Sequence, residues 1–192
     1  VEGRGGRRVG IVLLGLAAYA VAGASSVHES VEHYDISGAT AQQLRAALNR
    51  SGPVDAGGRR YDGLTVWNIA WYPEFHDSGD VCELAAFETS VDIAITLPRW
   101  VDRGRAPDEL IEQWNEFSRA LAEHEREHGA IALTAAATMR KRVGSLPARA
   151  NCAELEEDVS SVVRAVLREA RRAERRFDRT TRHGKKDGAR FP

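Results

Sequence analysis

The chain has 192 residues, with 27 Lys and Arg against 28 Asp and Glu, giving a formal net charge of −1. That balance argues against nucleic acid as a general partner. The length suits one domain with a real core.

At the start of the chain, Arg4, Arg7 and Arg8 precede the apolar run VGIVLLGLAAYAVAG, and Ala22, Gly23 and Ala24 form a small-x-small site. This layout predicts a secretory signal peptide over residues 1–24. The run is shorter than the roughly 20 residues of a membrane span, so no stable membrane insertion is expected after cleavage. An uncleaved N-terminal anchor is the alternative. The leader holds three Arg and one Glu, so residues 25–192 carry a formal charge of −3 and are expected in the periplasm or outside the cell. Export puts Cys82 and Cys152 in an oxidising compartment, where they are expected to pair. The bond closes a loop of about seventy residues, worth about 4 kcal/mol on the chain-entropy model. Two buried free thiols are the alternative.

Beyond the leader, VEHYDISG reads as a short strand ending at Gly38, and Thr40 can cap a helix running through Asn49, with Leu44 and Leu48 one turn apart. SGPVDAGGRRYDG is a loop by its Gly and Pro content. In LTVWNIAWY, Thr65, Trp67, Ile69 and Trp71 share one face, the period-two signature of a half-buried strand. PEFHDSGD is expected as a loop. The next strand is the clearest in the chain, with Val91, Ile93, Ile95 and Leu97 alternating with Ser90, Asp92, Ala94 and Thr96. Three strands at this spacing suggest a small, largely antiparallel sheet.

The second half is helical. Pro107 suits a first helical position, and Asp108 and Glu109 suit the positive end of the helix dipole. Apolar residues recur at Leu110, Trp114, Phe117 and Leu121 in alternating steps of four and three, and the same stepping reaches His124, His128 and Ile131. Both histidines therefore lie on the seam that faces the core. Glu123, Arg126 and Glu127 read as a solvated face, with Arg119–Glu123 and Glu123–Arg126 pairs. Asn151 and Glu154 fit a capping box for a second helix with a stripe of Leu155, Val159, Val162, Val166, Ala173 and Phe177. Strands followed by two long helices predict an α+β single domain.

His124-Glu125-x-x-His128 is a metal-site spacing for a geometric reason. Residues four apart on a helix sit one above the other, so two imidazoles reach one zinc at about 2 Å. Glu125, rotated by about 100°, is left free as a general base for a water that zinc acidifies. Two core-facing histidines with no metal would need other partners to offset their desolvation. A catalytic site takes three protein ligands, so one must come from elsewhere. His28, His33, His76 and His183 are the candidates. Geometry favours His183, because a helix running back along the first can deliver it beside the metal, and Gly184 lets the chain turn there.

YDISGATAQQLRAAL, Gly52-Pro53, TVWNIAW, Cys82, LPRW, Trp114, LAEHEREH, Cys152 and FDRTTRHGKKDG together resemble a bacterial family of predicted secreted zinc-dependent proteases, the domain of unknown function 922. The likeness covers almost the whole chain after the leader. Its most specific part is the ending Asp178, Thr181, His183, Gly184 and Gly188, with Phe177 where the pattern has Tyr. The resemblance implies that His183 is functional.

The expectation is an exported, zincin-like zinc metallopeptidase acting on a peptide or protein substrate laid along a sheet edge. His124, His128 and His183 bind Zn²⁺ and Glu125 is the catalytic base. Asp178 and Thr181 would hold His183 from behind, and Tyr34, Tyr72 or His76 would supply a second oxyanion donor. The rivals are a non-catalytic envelope protein with a structural zinc, bound to its partner through the Arg-rich end, and a zinc amidase acting on cell-wall peptides.

Overall fold

The computed structural model describes residues 25–192; the expected signal peptide lies outside them. The elements are β1 (Ser25–Ile36), α1 (Ala41–Ser51), β2 (Leu64–Asp77), β3 (Cys82–Trp100), α2 (Asp108–Val143) and α3 (Cys152–Thr181), with single 3₁₀ turns at Arg103–Arg105 and Lys185–Asp187. This is the expected α+β plan, with three helices of which two are long. Among the described residues, no helix is long and apolar enough to cross a membrane.

The sheet is mixed rather than largely antiparallel, in the order β1-β3-β2. β2 and β3 form an antiparallel hairpin, while β1 runs parallel to β3, from Ser25 opposite Thr89 to Ile36 opposite Trp100. The chain reverses direction twice between β1 and β3, so these two strands must point the same way. A parallel pair results once β3 takes the middle. It does so because it is the most apolar strand, with Phe87, Thr89, Val91, Ile93 and Ile95 all buried on one face. β1 is exposed along nearly its whole length, which is why its first six residues show no alternation. β2 continues through most of the segment expected as a loop, leaving only Ser78–Val81 to turn the hairpin. Pro73 is tolerated because β2 is an edge strand, and the register slips beside it, between Glu74 and Phe75.

The caps form where the sequence places them. The Thr40 hydroxyl accepts the Gln43 N–H (3.2 Å), and Asn151 Oδ1 accepts the Glu154 N–H (3.0 Å). Pro107 is the N-cap of α2 rather than its first helical residue. The buried stripe of α3 is Leu155, Val159, Val163, Val166 and Ala170; Val162, Ala173 and Phe177 are half-buried at its border. The expected disulfide is present between Cys82 and Cys152.

Two apolar clusters lie along α2. Residues from Ala132 to Val143 pack with α3 on β2 and β3. Leu110 to Leu121 pack with Leu44, Leu48, Trp100 and the chain's tail. In the tail, Phe191 sits 5.5 Å from the Trp114 ring and 5.3 Å from the Phe117 ring. Between the clusters, the seam of α2 is made of His124, Glu125 and His128.

Candidate metal centre

His124 and Glu125 are buried, at 6% and 5% exposure, and His128 is nearly so. Arg126 and Glu127 face solvent as expected, but the Arg119–Glu123 and Glu123–Arg126 pairs do not form among the described residues. α3 runs back along α2 and brings Asp178 over the two imidazoles. Asp178 Oδ1 lies 3.4 Å from His124 Nε2, 3.2 Å from His128 Nε2 and 3.3 Å from His183 Nδ1. One carboxylate oxygen thus meets three imidazoles. Burial alone would raise the Asp178 pKa. Hydrogen bonds from His124 and His128, with the charges of His128 and His183, instead hold it well below the usual carboxylate range. At His128 burial works downward, but its bonds to Asp178 and Glu174 prevail and push the imidazole up to about 9. Donor atoms of His124, His128 and Asp178 all lie within 4.8 Å of one another, so this group could hold a metal ion.

His183 reaches Asp178 through an unusual turn. Arg182 and His183 both have φ of +54°, and Gly184 has φ of +72°. Three consecutive left-handed residues reverse the chain, and the His183 N–H donates to the Asp178 carbonyl (2.8 Å). Thr181 does not hold the His183 ring. Its hydroxyl donates to the Phe177 carbonyl (2.9 Å) and accepts the Gly184 N–H (3.2 Å), which fixes the turn instead. Gly184 is needed for space as well as for φ, since a Cβ there would lie 3.0 Å from His124 Cγ. His124 is clamped between this glycine and the Phe177 ring, stacked at 4.8 Å. Its Nδ1 is buried with no hydrogen-bond partner, so packing orients this ring.

β2 supplies the opposite wall. The Thr65 hydroxyl lies 2.8 Å from the Glu125 carboxylate and 2.9 Å from the Glu125 carbonyl. Burial raises the Glu125 pKa and the Thr65 bond offsets part of that rise. A Cβ at Gly63 would come within 3.1 Å of the Glu125 side chain, so a larger residue there would press on that carboxylate. Trp67 Nε1 donates to Glu174 Oε1 (2.7 Å), which stands 3.6 Å from His128 Nδ1. His128 is therefore aimed from both nitrogens, by Asp178 and by Glu174. An outer partner such as Glu174, behind a histidine that binds a metal, is typically worth about 10–100-fold in metal affinity. If the cluster holds zinc, Trp67→Phe, which frees Glu174, is expected to lower zinc affinity in a chelator competition by up to about tenfold. Unchanged affinity would show that Glu174 needs no holding.

These groups open into a cleft of about 620 Å³. His124, Glu125, His128 and His183, the four site residues expected from the sequence, all line it, together with Asp178. Tyr34, Tyr72, His76, His28 and His33 do not. The Tyr34 hydroxyl is tied behind the wall to the Asp62 carbonyl (2.7 Å), and burial with the nearby Asp62 charge pushes its pKa well up. Tyr72 and His76 are exposed toward the far end of β2, and His28 and His33 are exposed on β1. The sequence reading missed Thr65, Trp67 and Glu174 as site residues, and the loop residues Arg59, Arg60 and Tyr61. Glu174 had a signal, four residues before Asp178 on the same helix face. Nothing in the sequence marked the loop.

A family profile described as "Bacterial protein of unknown function (DUF922)" matches residues 31–184, from β1 to the glycine after His183. Neither the curated proteins nor the solved structures give a match. The matched span contains every residue of the His124, His128, Asp178 and His183 cluster and both walls that support it, so the chain belongs to this bacterial family of unknown function.

Proposed function

We propose that this chain is an exported zinc-dependent metallopeptidase. The observation that carries the reading is the compact donor set of His124, His128 and Asp178 beside a buried glutamate in a cleft. The set fits zinc. A tetrahedral ion with bonds of about 2.0–2.1 Å has ligands about 3.3 Å apart. Asp178 Oδ1 stands 3.4 and 3.2 Å from the two histidine nitrogens. In this reading the roles expected for Asp178 and His183 are exchanged: Asp178 is the third ligand and His183 braces its carboxylate. The disulfide supports an oxidising compartment, the periplasm or the medium.

Bound there, zinc supplies Lewis acidity, which acidifies water and polarises a carbonyl. The chain's own groups do the rest. Glu125 takes the proton of the attacking water and returns it to the leaving amine. Thr65 keeps that carboxylate turned toward the cleft. Among the described residues β2 pairs only with β3, and its first residues Leu64 and Thr65 line the cleft, so its other edge can receive a peptide as an added strand.

Metal analysis tests this reading. The unmutated chain is expected to hold stoichiometric zinc and to hydrolyse peptides, losing activity to a chelator and regaining it with added zinc. Asp178→Ala is expected to lose the metal and His183→Ala to keep it. No zinc in the unmutated chain sinks the proposal. Zinc lost in both variants, with no hydrolysis by the unmutated chain, would point to a closed four-ligand site and hence to a structural role.

A further inference from the structure

Six cationic side chains line the metal cleft with no carboxylate partner among the described residues: Arg59, Arg60, Arg171, Arg175, Lys185 and Arg190. They come from three segments, namely the loop before β2, the last turns of α3 and the tail beyond it. The carboxylates of the cleft are already engaged. Asp62 holds Arg45, and Asp55 accepts the Gly57 and Arg59 N–H groups and the Tyr61 hydroxyl. Thr65 holds Glu125, Trp67 holds Glu174, and three imidazoles surround Asp178. Seven cationic side chains thus line the cleft against five carboxylates, which leaves it an excess of positive charge.

The spacing on α3 aims part of that charge. Residues 171, 174, 175 and 178 follow steps of three and four, so Arg171 and Arg175 share the face of Glu174 and Asp178. Their guanidinium groups stand one and two turns before the proposed metal ligand. In the loop, Arg59 lies over the Tyr61 ring and Arg60 donates to the Gly52 carbonyl, so both are partly pre-oriented.

We propose that the cleft selects acidic peptides, with Arg171 and Arg175, assisted by the other four cations, binding carboxylates that flank the amide to be cut. The inference rests on the metallopeptidase reading for what is cut, but not for what is bound. A guanidinium grips a carboxylate through two parallel N–H···O bonds, and a concave site screens such a pair less than open surface does. The cleft volume is in the range of pockets that enclose a small ligand or short peptide segment. A bilayer or a nucleic-acid duplex would instead require a broad charged face.

The test uses two labelled peptides that differ only in Asp and Glu against Asn and Gln. Their binding is read by fluorescence anisotropy at low salt, on the zinc-loaded Glu125→Gln chain so that neither is cut. The comparison variant adds Arg171→Gln and Arg175→Gln; both side chains are exposed, and zinc content is measured alongside. The acidic peptide is expected to bind about tenfold tighter or more for each carboxylate engaged. That preference is expected to collapse in the comparison variant and to weaken with salt. Equal binding of the two peptides overturns the proposal, as does a preference that survives both arginine substitutions. Tighter binding of anionic vesicles or duplex DNA than of the acidic peptide overturns it too. The two readings fail differently. Acidic peptide bound through Arg171 and Arg175 but never cut by the unmutated chain upholds the subsite and sinks the peptidase. Acidic and neutral peptides cut with equal kcat/KM sink the subsite and uphold the peptidase.

Discussion

Glu125→Gln is expected to lower kcat/KM for peptide hydrolysis about 10²–10⁴-fold while zinc content stays unchanged, because it removes a proton acceptor and no metal ligand. Glutamine is the right replacement for this position. The side chain is buried, close to Gly63 and bonded to Thr65, so alanine would leave a hole beside β2. Glutamine keeps the volume and one acceptor oxygen for Thr65 but cannot take a proton at neutral pH. Loss of activity with retained zinc and an unchanged unfolding midpoint would assign Glu125 to the chemistry. Full activity in this variant would remove the general base from the proposal.

The second large effect concerns the fold. Replacing Cys82 and Cys152 together by alanine is expected to cost about 4 kcal/mol, the chain-entropy worth of closing a seventy-residue loop. For a domain of this size that is a fall of about 10 °C in the unfolding midpoint. The cross-link ties the start of β3 to the start of α3, so it restricts the unfolded chain on either side of all of α2. The native ends stay close without it, since the Cys82 and Arg149 backbones exchange two hydrogen bonds of 2.8 and 2.9 Å. Thermal unfolding followed by circular dichroism checks this, with the unmutated protein in reductant as a second arm expected to match the variant. A midpoint that moves by less than about 2 °C would show that the denatured chain is already held together by other contacts.

Much of this arrangement was legible in the sequence where burial imposes a period. The stepping from Leu110 to His128 survives in the structure because one face of α2 meets the core along its whole length. The alternation in β3 survives for the same reason. β1 was half-hidden because its side chains are exposed and obey no pattern. Glu125 is rotated about 100° from His124, so the stepping alone does not predict its burial. It is buried nonetheless because Gly63 and Thr65 close over it from β2, a contact between residues about sixty apart that no local period encodes. The exchange of roles proposed for Asp178 and His183 has a similar origin. Histidine is the more familiar ligand type, but the left-handed turn after α3 brings His183 to the carboxylate rather than into the compact donor set.

The proposed site is split along the chain, with two histidines and the glutamate near residue 125 and the aspartate fifty residues further on. At about 5–20 residues per second, a ribosome that has just completed His128 needs about 3–10 s to reach Asp178. A nascent chain ending anywhere in that interval carries the base and two imidazoles but no third ligand. On the proposed reading, the ligand set is complete only after Asp178 has been made and α3 has folded back along α2.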